Sequence, residues 1–138
     1  MPDDQLSSPG KKSRRALKKP PVLYERTQQL IHRIESKLGE RIITYWNSPN
    51  GSICPNDVIG LYGILRSIGK VDRLSFFIKS DGRSGQVSLR MVNLLRQYVR
   101  RLTVLVPLEC ASAATMLALG ADKILMGPLA HLSAVDTC

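Results

Sequence analysis

The sequence predicts an α/β fold in which mostly parallel strands alternate with the helices that cover them. Helical and extended patterns alternate along the chain, the extended segments are almost wholly apolar, and two of them run into polar loops bearing Gly or Ser. Parallel strands need crossover connections, and apolar strands need cover on both faces, so intervening helices satisfy both conditions. In such sheets ligands meet the loops at the carboxyl ends of the strands.

The elements follow in order. Residues 1–21 set six cations, Lys11, Lys12, Arg14, Arg15, Lys18 and Lys19, against Asp3 and Asp4, among prolines and serines with no apolar period. This composition predicts a disordered basic tail. The tail could touch anionic lipid or nucleic acid, but a short basic run binds weakly and loses its grip with salt. It reads as a solvated leader, and nucleic acid is not an expected partner. No uninterrupted apolar stretch follows its charges, so it is not a signal peptide.

Residues 22–40 form an amphipathic helix leading in, with Leu23, Leu30, Ile31, Ile34 and Leu38 on one stripe and Gly39 as its stop. The domain proper spans 41–138. Arg41-Ile42-Ile43-Thr44-Tyr45-Trp46 is β-branched and aromatic, hence a first strand, closed by the turn-forming cluster Asn47 to Gly51. Asn56 or Asp57 can cap a second helix reaching about Ile68, with Val58, Leu61, Ile64, Leu65 and Ile68 inward. Leu74 to Ile78 is the second strand, and a polar loop over 79–85 follows it. A third helix turns Val87, Met91, Leu94, Leu95 and Tyr98 inward and carries Arg90, Arg96, Arg100 and Arg101 on a solvated face. Leu102 to Val106 is the third strand, a loop over 108–112 leads to a fourth helix starting near Ser112, and Lys123 to Met126 is the fourth strand.

A chain of 138 residues has room for one domain or for part of a larger one, and 43% hydrophobic residues support a core. Cys54, Cys110 and Cys138 are odd in number and lack C-x-x-C spacing, which argues against a zinc site and a disulfide framework. A reducing, cytoplasmic setting fits them. The apolar run from Leu102 to Ala121 is interrupted by Pro107, Glu109 and the small polar cluster around Ser112, so it reads as buried strand plus buried helix rather than a membrane span.

The chemistry gathers at Cys110-Ala111-Ser112-Ala113-Ala114-Thr115. Tiny residues let the backbone turn sharply from strand to helix and leave the Ser112 hydroxyl at the helix start, where free N–H groups can stabilise an oxyanion. The Ala113 N–H is one donor. An N–H from the Gly82-Arg83 turn on the same sheet edge is the natural second, with Gly82 free to adopt either sign of φ. Taken alone, Ser112 is more readily read as an ordinary helix cap.

The blocks Ile78-Lys79-Ser80-Asp81-Gly82-Arg83, Ala111-Ser112-Ala113-Ala114-Thr115, Leu119 to Pro128 and Leu132-Ser133-Ala134-Val135-Asp136, in this order, resemble the ClpP/crotonase-fold serine peptidases. Within them the serine dehydrogenase proteinase branch, related to signal peptide peptidase A, looks most similar. The resemblance covers roughly residues 41–138. It implies a ClpP/crotonase-like fold, apparently truncated at its C-terminus, with Ser112 as nucleophile and the backbone N–H groups of Gly82, Arg83 and Ala113 around the oxyanion hole. It further implies a protein or peptide substrate, a homo-oligomer, and a membrane or membrane protein as a further partner, since membrane proteases are among the relatives. No cofactor and no metal are called for. Asp81 and Arg83 replace Pro and Gly of the family's Ser/Thr-Pro-Gly-Gly loop, which puts an extra Cβ and a cation beside the pocket.

The resemblance also implies a base. Signal-peptide-peptidase-like members use a lysine downstream of the serine, and Clp-type members use a histidine near Val135-Asp136. In this chain His131 is the candidate within reach, Lys123 belongs at the far end of its strand, and Asp136 is too weak a base at a reference pKa of about 3.9. A Ser–Lys dyad with its lysine outside these residues is therefore the expectation. A catalytically silent scaffold of the same fold, or an acyl-CoA-binding crotonase relative, is the alternative.

Overall fold

The computed structural model describes residues 24–134, so the basic tail and Val135-Asp136 lie outside the described residues. The elements run α1 (Tyr24–Leu38), β1 (Arg41–Trp46), α2 (Pro55–Ile68), β2 (Val71–Lys79), α3 (Gly85–Tyr98), β3 (Val99–Val106), β4 (Glu109–Cys110), α4 (Ala113–Leu119), β5 (Lys123–Met126) and β6 (His131–Leu132). This is the expected alternation, with two short additions.

Four strands form one all-parallel sheet in the order β1-β2-β3-β5. Each strand joins the same growing edge. Right-handed crossovers then carry α2, α3 and α4 to one face of the sheet, and among the described residues α1 is the helix left for the other. The core lies between the three crossover helices and the sheet. Leu74, Phe76 and Ile78 of β2 and Leu102 and Val104 of β3 are fully buried there against Leu65, Met91, Leu95 and Leu117. Burying each such side chain is worth roughly 1.5–3 kcal/mol.

Several expected boundaries move, each for a local reason. The cap of α2 is Cys54 rather than Asn56 or Asp57, and Pro55 takes the first helical position, where its missing N–H costs nothing. Asp57 instead serves from inside the first turn: its carboxylate accepts the Cys54 N–H at 2.9 Å and the Tyr45 hydroxyl. Burial and that carboxylate hold the Tyr45 phenol well above its ordinary pKa. Ile64 points to solvent at 46% exposure, while Leu61 and Leu65 carry the inward stripe.

Strands β2 and β3 both begin three residues earlier than their apolar runs, because the ladder continues through Val71↔Val99 and Arg73↔Arg101. Arg100 and Arg101 therefore belong to β3 and not to the solvated face of α3. Arg96 is not merely solvated either. Its guanidinium donates to the Gly120 carbonyl at 2.7 and 3.1 Å and to Asp122 at 2.6 Å, pinning the end of α4 to α3. The apolar stripe of α1 is only partly covered: no residue of that helix is buried, and Leu30 is 47% exposed. Among the described residues, no helix is long and apolar enough to cross a membrane.

Candidate active site

The carboxyl ends of β2 and β3 bring the two expected loops together. An isolated bridge joins Ser80 to Cys110: the Ser80 N–H donates to the Glu109 carbonyl at 3.1 Å, and the Ala111 N–H donates to the Ser80 carbonyl at 3.0 Å. Strand β4 pairs in turn with β6, so the segment after β5 folds back alongside. Two-residue strands show no alternation, which is why neither was legible beforehand.

Ser80 is fully buried and organises the first loop. Its hydroxyl donates to the Asn47 side-chain carbonyl at 2.5 Å and accepts the Gly82 N–H at 3.1 Å. The Gly82 carbonyl accepts the Ile53 N–H at 3.0 Å, so the turn is held on both sides. Gly82 has φ of 87°, and a Cβ there would lie 2.5 Å from the Ala111 carbonyl oxygen and 2.7 Å from the Ala113 nitrogen. Only glycine fits that approach. Arg83 follows with φ of 102°, so the conformation usual for glycine is retained although the residue is not one. Holding a side-chain-bearing residue there stores roughly 1–3 kcal/mol of strain.

Ser112 heads α4 with φ of 51° and ψ of −118°, the second non-glycine residue at positive φ among the described residues. Its side chain makes no cap hydrogen bond. The ordinary cap reading is thus not what the serine does: the bend presents the hydroxyl instead of turning it back on the helix. The Ser112 N–H donates to the Ser133 hydroxyl oxygen at 2.9 Å, and the Ser112 carbonyl accepts from Thr115 at 3.0 Å. The buried Thr115 hydroxyl lies 3.0 Å from the Cys110 carbonyl and 2.8 Å from that of Ser133, tying the helix start to both neighbouring strands. Cys110 packs beneath the elbow, and burial pushes its thiol up to about 11.

The backbone donors follow from this geometry. The Ser112 and Gly82 N–H groups are already engaged, whereas the N–H groups of Ala113 and Arg83 have no acceptor among the described residues. Ser112 itself is half-buried, and the close approach of Gly82 to the Ala111 and Ala113 backbone brings the Arg83 loop beside the start of α4. At Gly82 the close approach sets the shape of the turn, and its N–H is held by the Ser80 hydroxyl.

No described side chain supplies the base at this geometry. His131 is exposed, sits opposite Glu109 three residues short of Ser112, and spends its backbone N–H on Leu108 at 2.9 Å. Its ring makes no hydrogen bond to Ser112 among the described residues. Lys123 pairs with Thr103 near the opposite end of the sheet. Lys79 donates to the Asn47 carbonyl at 3.2 Å and rides 5.9 Å above the Trp46 ring. Asn47, Ser80 and Ser133 escaped notice as site residues. The only sequence signals for them were a turn cluster and two small hydroxyls inside the resembling blocks.

Neither a protein-family model nor a curated protein matches the sequence. Among solved structures, the "ClpP1 N165D mutant from Listeria monocytogenes" matches at a TM-score of 0.50 and 21% identity, over 64% of this chain and 51% of that one. The chain thus spans about half the length of that structure. Its alternating helices and parallel sheet, with the two loops joined at the carboxyl ends of β2 and β3, make this an α/β chain of ClpP-like fold.

Proposed function

We propose that the chain is the nucleophile-bearing part of a serine peptidase of the Ser–Lys type, related to the serine dehydrogenase proteinases. The observation that carries this reading is Ser112 at positive φ, its hydroxyl unspent on capping, at a helix start against which the Gly82-Arg83 loop packs closely, with the N–H groups of Arg83 and Ala113 unengaged among the described residues. The Ser112 oxygen attacks the scissile carbonyl carbon, and the two N–H groups receive the oxyanion. A neutral lysine amine from outside these residues takes the hydroxyl proton and passes it to the departing amine as the C–N bond breaks. Water then hydrolyses the acyl-enzyme with the same base. No cofactor enters this scheme. Homo-oligomeric assembly belongs to the proposal, supported by Ile59 and Leu89, which stand 69% and 55% exposed on α2 and α3.

In the full-length protein, a fluorophosphonate probe should label Ser112 and hydrolysis of an unfolded protein should proceed. Both should vanish in Ser112→Ala. Undiminished turnover in that variant would sink the assignment. A second reading, a silent peptide-binding scaffold, is favoured by one observation, that Arg83 rather than a glycine is held at φ of 102° in the loop facing Ser112. Failure of the full-length protein to react with the probe, together with saturable peptide binding, selects it.

A further inference from the structure

The peptide unit joining Gly82 to Arg83 is planar and trans, so its N–H points opposite to its C=O. Whatever holds the Gly82 carbonyl therefore aims the Arg83 N–H, the donor left unengaged in that loop. The N–H of the buried Ile53 holds that carbonyl at 3.0 Å. The next residue, Cys54, donates its N–H to Asp57 Oδ2 at 2.9 Å, which fixes the chain at the entry to α2. One arm thus runs from Asp57 through the Cys54-Ile53 backbone to the carbonyl side of Gly82.

A second arm reaches the other side of the same glycine. The Tyr45 hydroxyl donates to the same Oδ2 at 2.5 Å, with the Tyr45 ring stacked on Phe76 at 6.1 Å between centroids. Burial and the Asp57 carboxylate raise the pKa of this phenol, while the Asn47 side chain lowers it, as a donor to the phenol oxygen does. The other end of that amide, Asn47 Oδ1, accepts the Ser80 hydroxyl at 2.5 Å, and the Ser80 oxygen accepts the Gly82 N–H at 3.1 Å. The Asn47 backbone is itself tied to β2, its N–H donating to the Lys79 carbonyl at 2.9 Å.

Both arms end on one carboxylate oxygen. Capping α2 accounts for the bond from Cys54 but not for the bond from Tyr45, which lies on a different element. Hydrogen bonds in such chains polarise one another, so their members act as a unit.

We propose that Asp57 is a positioning residue for the Gly82-Arg83 turn: by holding Tyr45 and Cys54 together it fixes both sides of Gly82 and aims the Arg83 N–H toward the start of α4. That this N–H meets an oxyanion rests on the peptidase reading; the hold on the turn does not.

Hydrogen exchange read by mass spectrometry on the full-length protein separates the two. Tyr45→Phe deletes the phenol oxygen but keeps the stacked ring and the Cys54 bond of α2. Exchange in peptides spanning residues 80–84 should rise about twofold to tenfold, while α2 exchanges at the parent rate. Asp57→Ala removes both arms and should exceed that rise. Asp57→Asn keeps an acceptor oxygen where the two donors meet and should restore most of the protection. Fluorophosphonate labelling of Ser112 should slow in the same order, with urea denaturation confirming that each variant is folded. Three results overturn the proposal: unchanged exchange at 80–84 in both Tyr45→Phe and Asp57→Ala, a rise confined to α2, and an Asp57→Asn variant no better protected than Asp57→Ala. If the parent itself resists the probe, the peptidase reading falls, and the exchange comparison alone upholds or overturns the role of Asp57.

Discussion

Gly82→Ala probes the elbow and its paired loop together. The added methyl would lie 2.5, 2.7 and 3.0 Å from the Ala111 oxygen, the Ala113 nitrogen and the Ala114 nitrogen. All three are backbone atoms, so no rotamer change relieves the contact. The substitution also forces alanine into φ of 87°. Positive φ costs about 1–2 kcal/mol and overpacking typically about 1–3 kcal/mol, for a total of about 2–5 kcal/mol. At about 3–6 °C per kcal/mol for a chain of this intermediate size, the melting temperature should fall by roughly 6–30 °C. Urea denaturation should show a lower midpoint at unchanged slope, and probe labelling of Ser112 should slow because the Ala113 N–H is pushed aside. A melting temperature within about 3 °C of the parent, with labelling at the parent rate, would refute the close approach and the oxyanion geometry built on it.

Other expectations follow from the same strain and burial. Arg83→Gly and Ser112→Gly should each stabilise the protein by about 1 kcal/mol, read by urea titration, since glycine adopts positive φ without penalty; destabilisation by either would contradict strained backbone there. Ser80→Ala should cost about 1–3 kcal/mol by leaving the Gly82 N–H and the Asn47 carbonyl unpaired, and it should slow labelling of Ser112 as well. With its thiol raised to about 11, Cys110 should resist iodoacetamide in the folded protein at pH 8 and react only on unfolding, as mass mapping of the alkylated site would show. Because the folded thiol holds its proton more tightly than the unfolded one, that stabilisation is whole below about pH 9 and should drain away as pH climbs toward 11.

Much of the fold is visible in the order of patterns. The first strand and the last strand of the main sheet match the structure residue for residue, because each is bounded by turn-forming residues. Strand starts were less legible: Asp72, Arg73, Arg100 and Arg101 carry no apolar signal of their own, and the ladder extends through them by pairing Val71 with Val99 and Arg73 with Arg101. The helix cap at Cys54 was hidden because a cysteine is a weak cap, and Asp57 two positions beyond Pro55 does the work from inside the turn. At the site, small residues around Ser112 foretold the elbow, since only they permit it. The supporting contacts of Asn47, Ser80 and Ser133 depend on which strands lie side by side, a property no local window contains.

The stitching of Ser80 to Cys110 has a consequence for the order of folding. The candidate site draws on residues near 47, 82, 112 and 133, joined only through parallel ladders and their crossovers. Such long-range pairings close late, after the entropy of several loops has been spent. A nascent or half-folded chain therefore possesses the serine but neither the strained bend nor the opposed donors. On the proposed peptidase reading, Ser112 becomes reactive only once the last ladder forms.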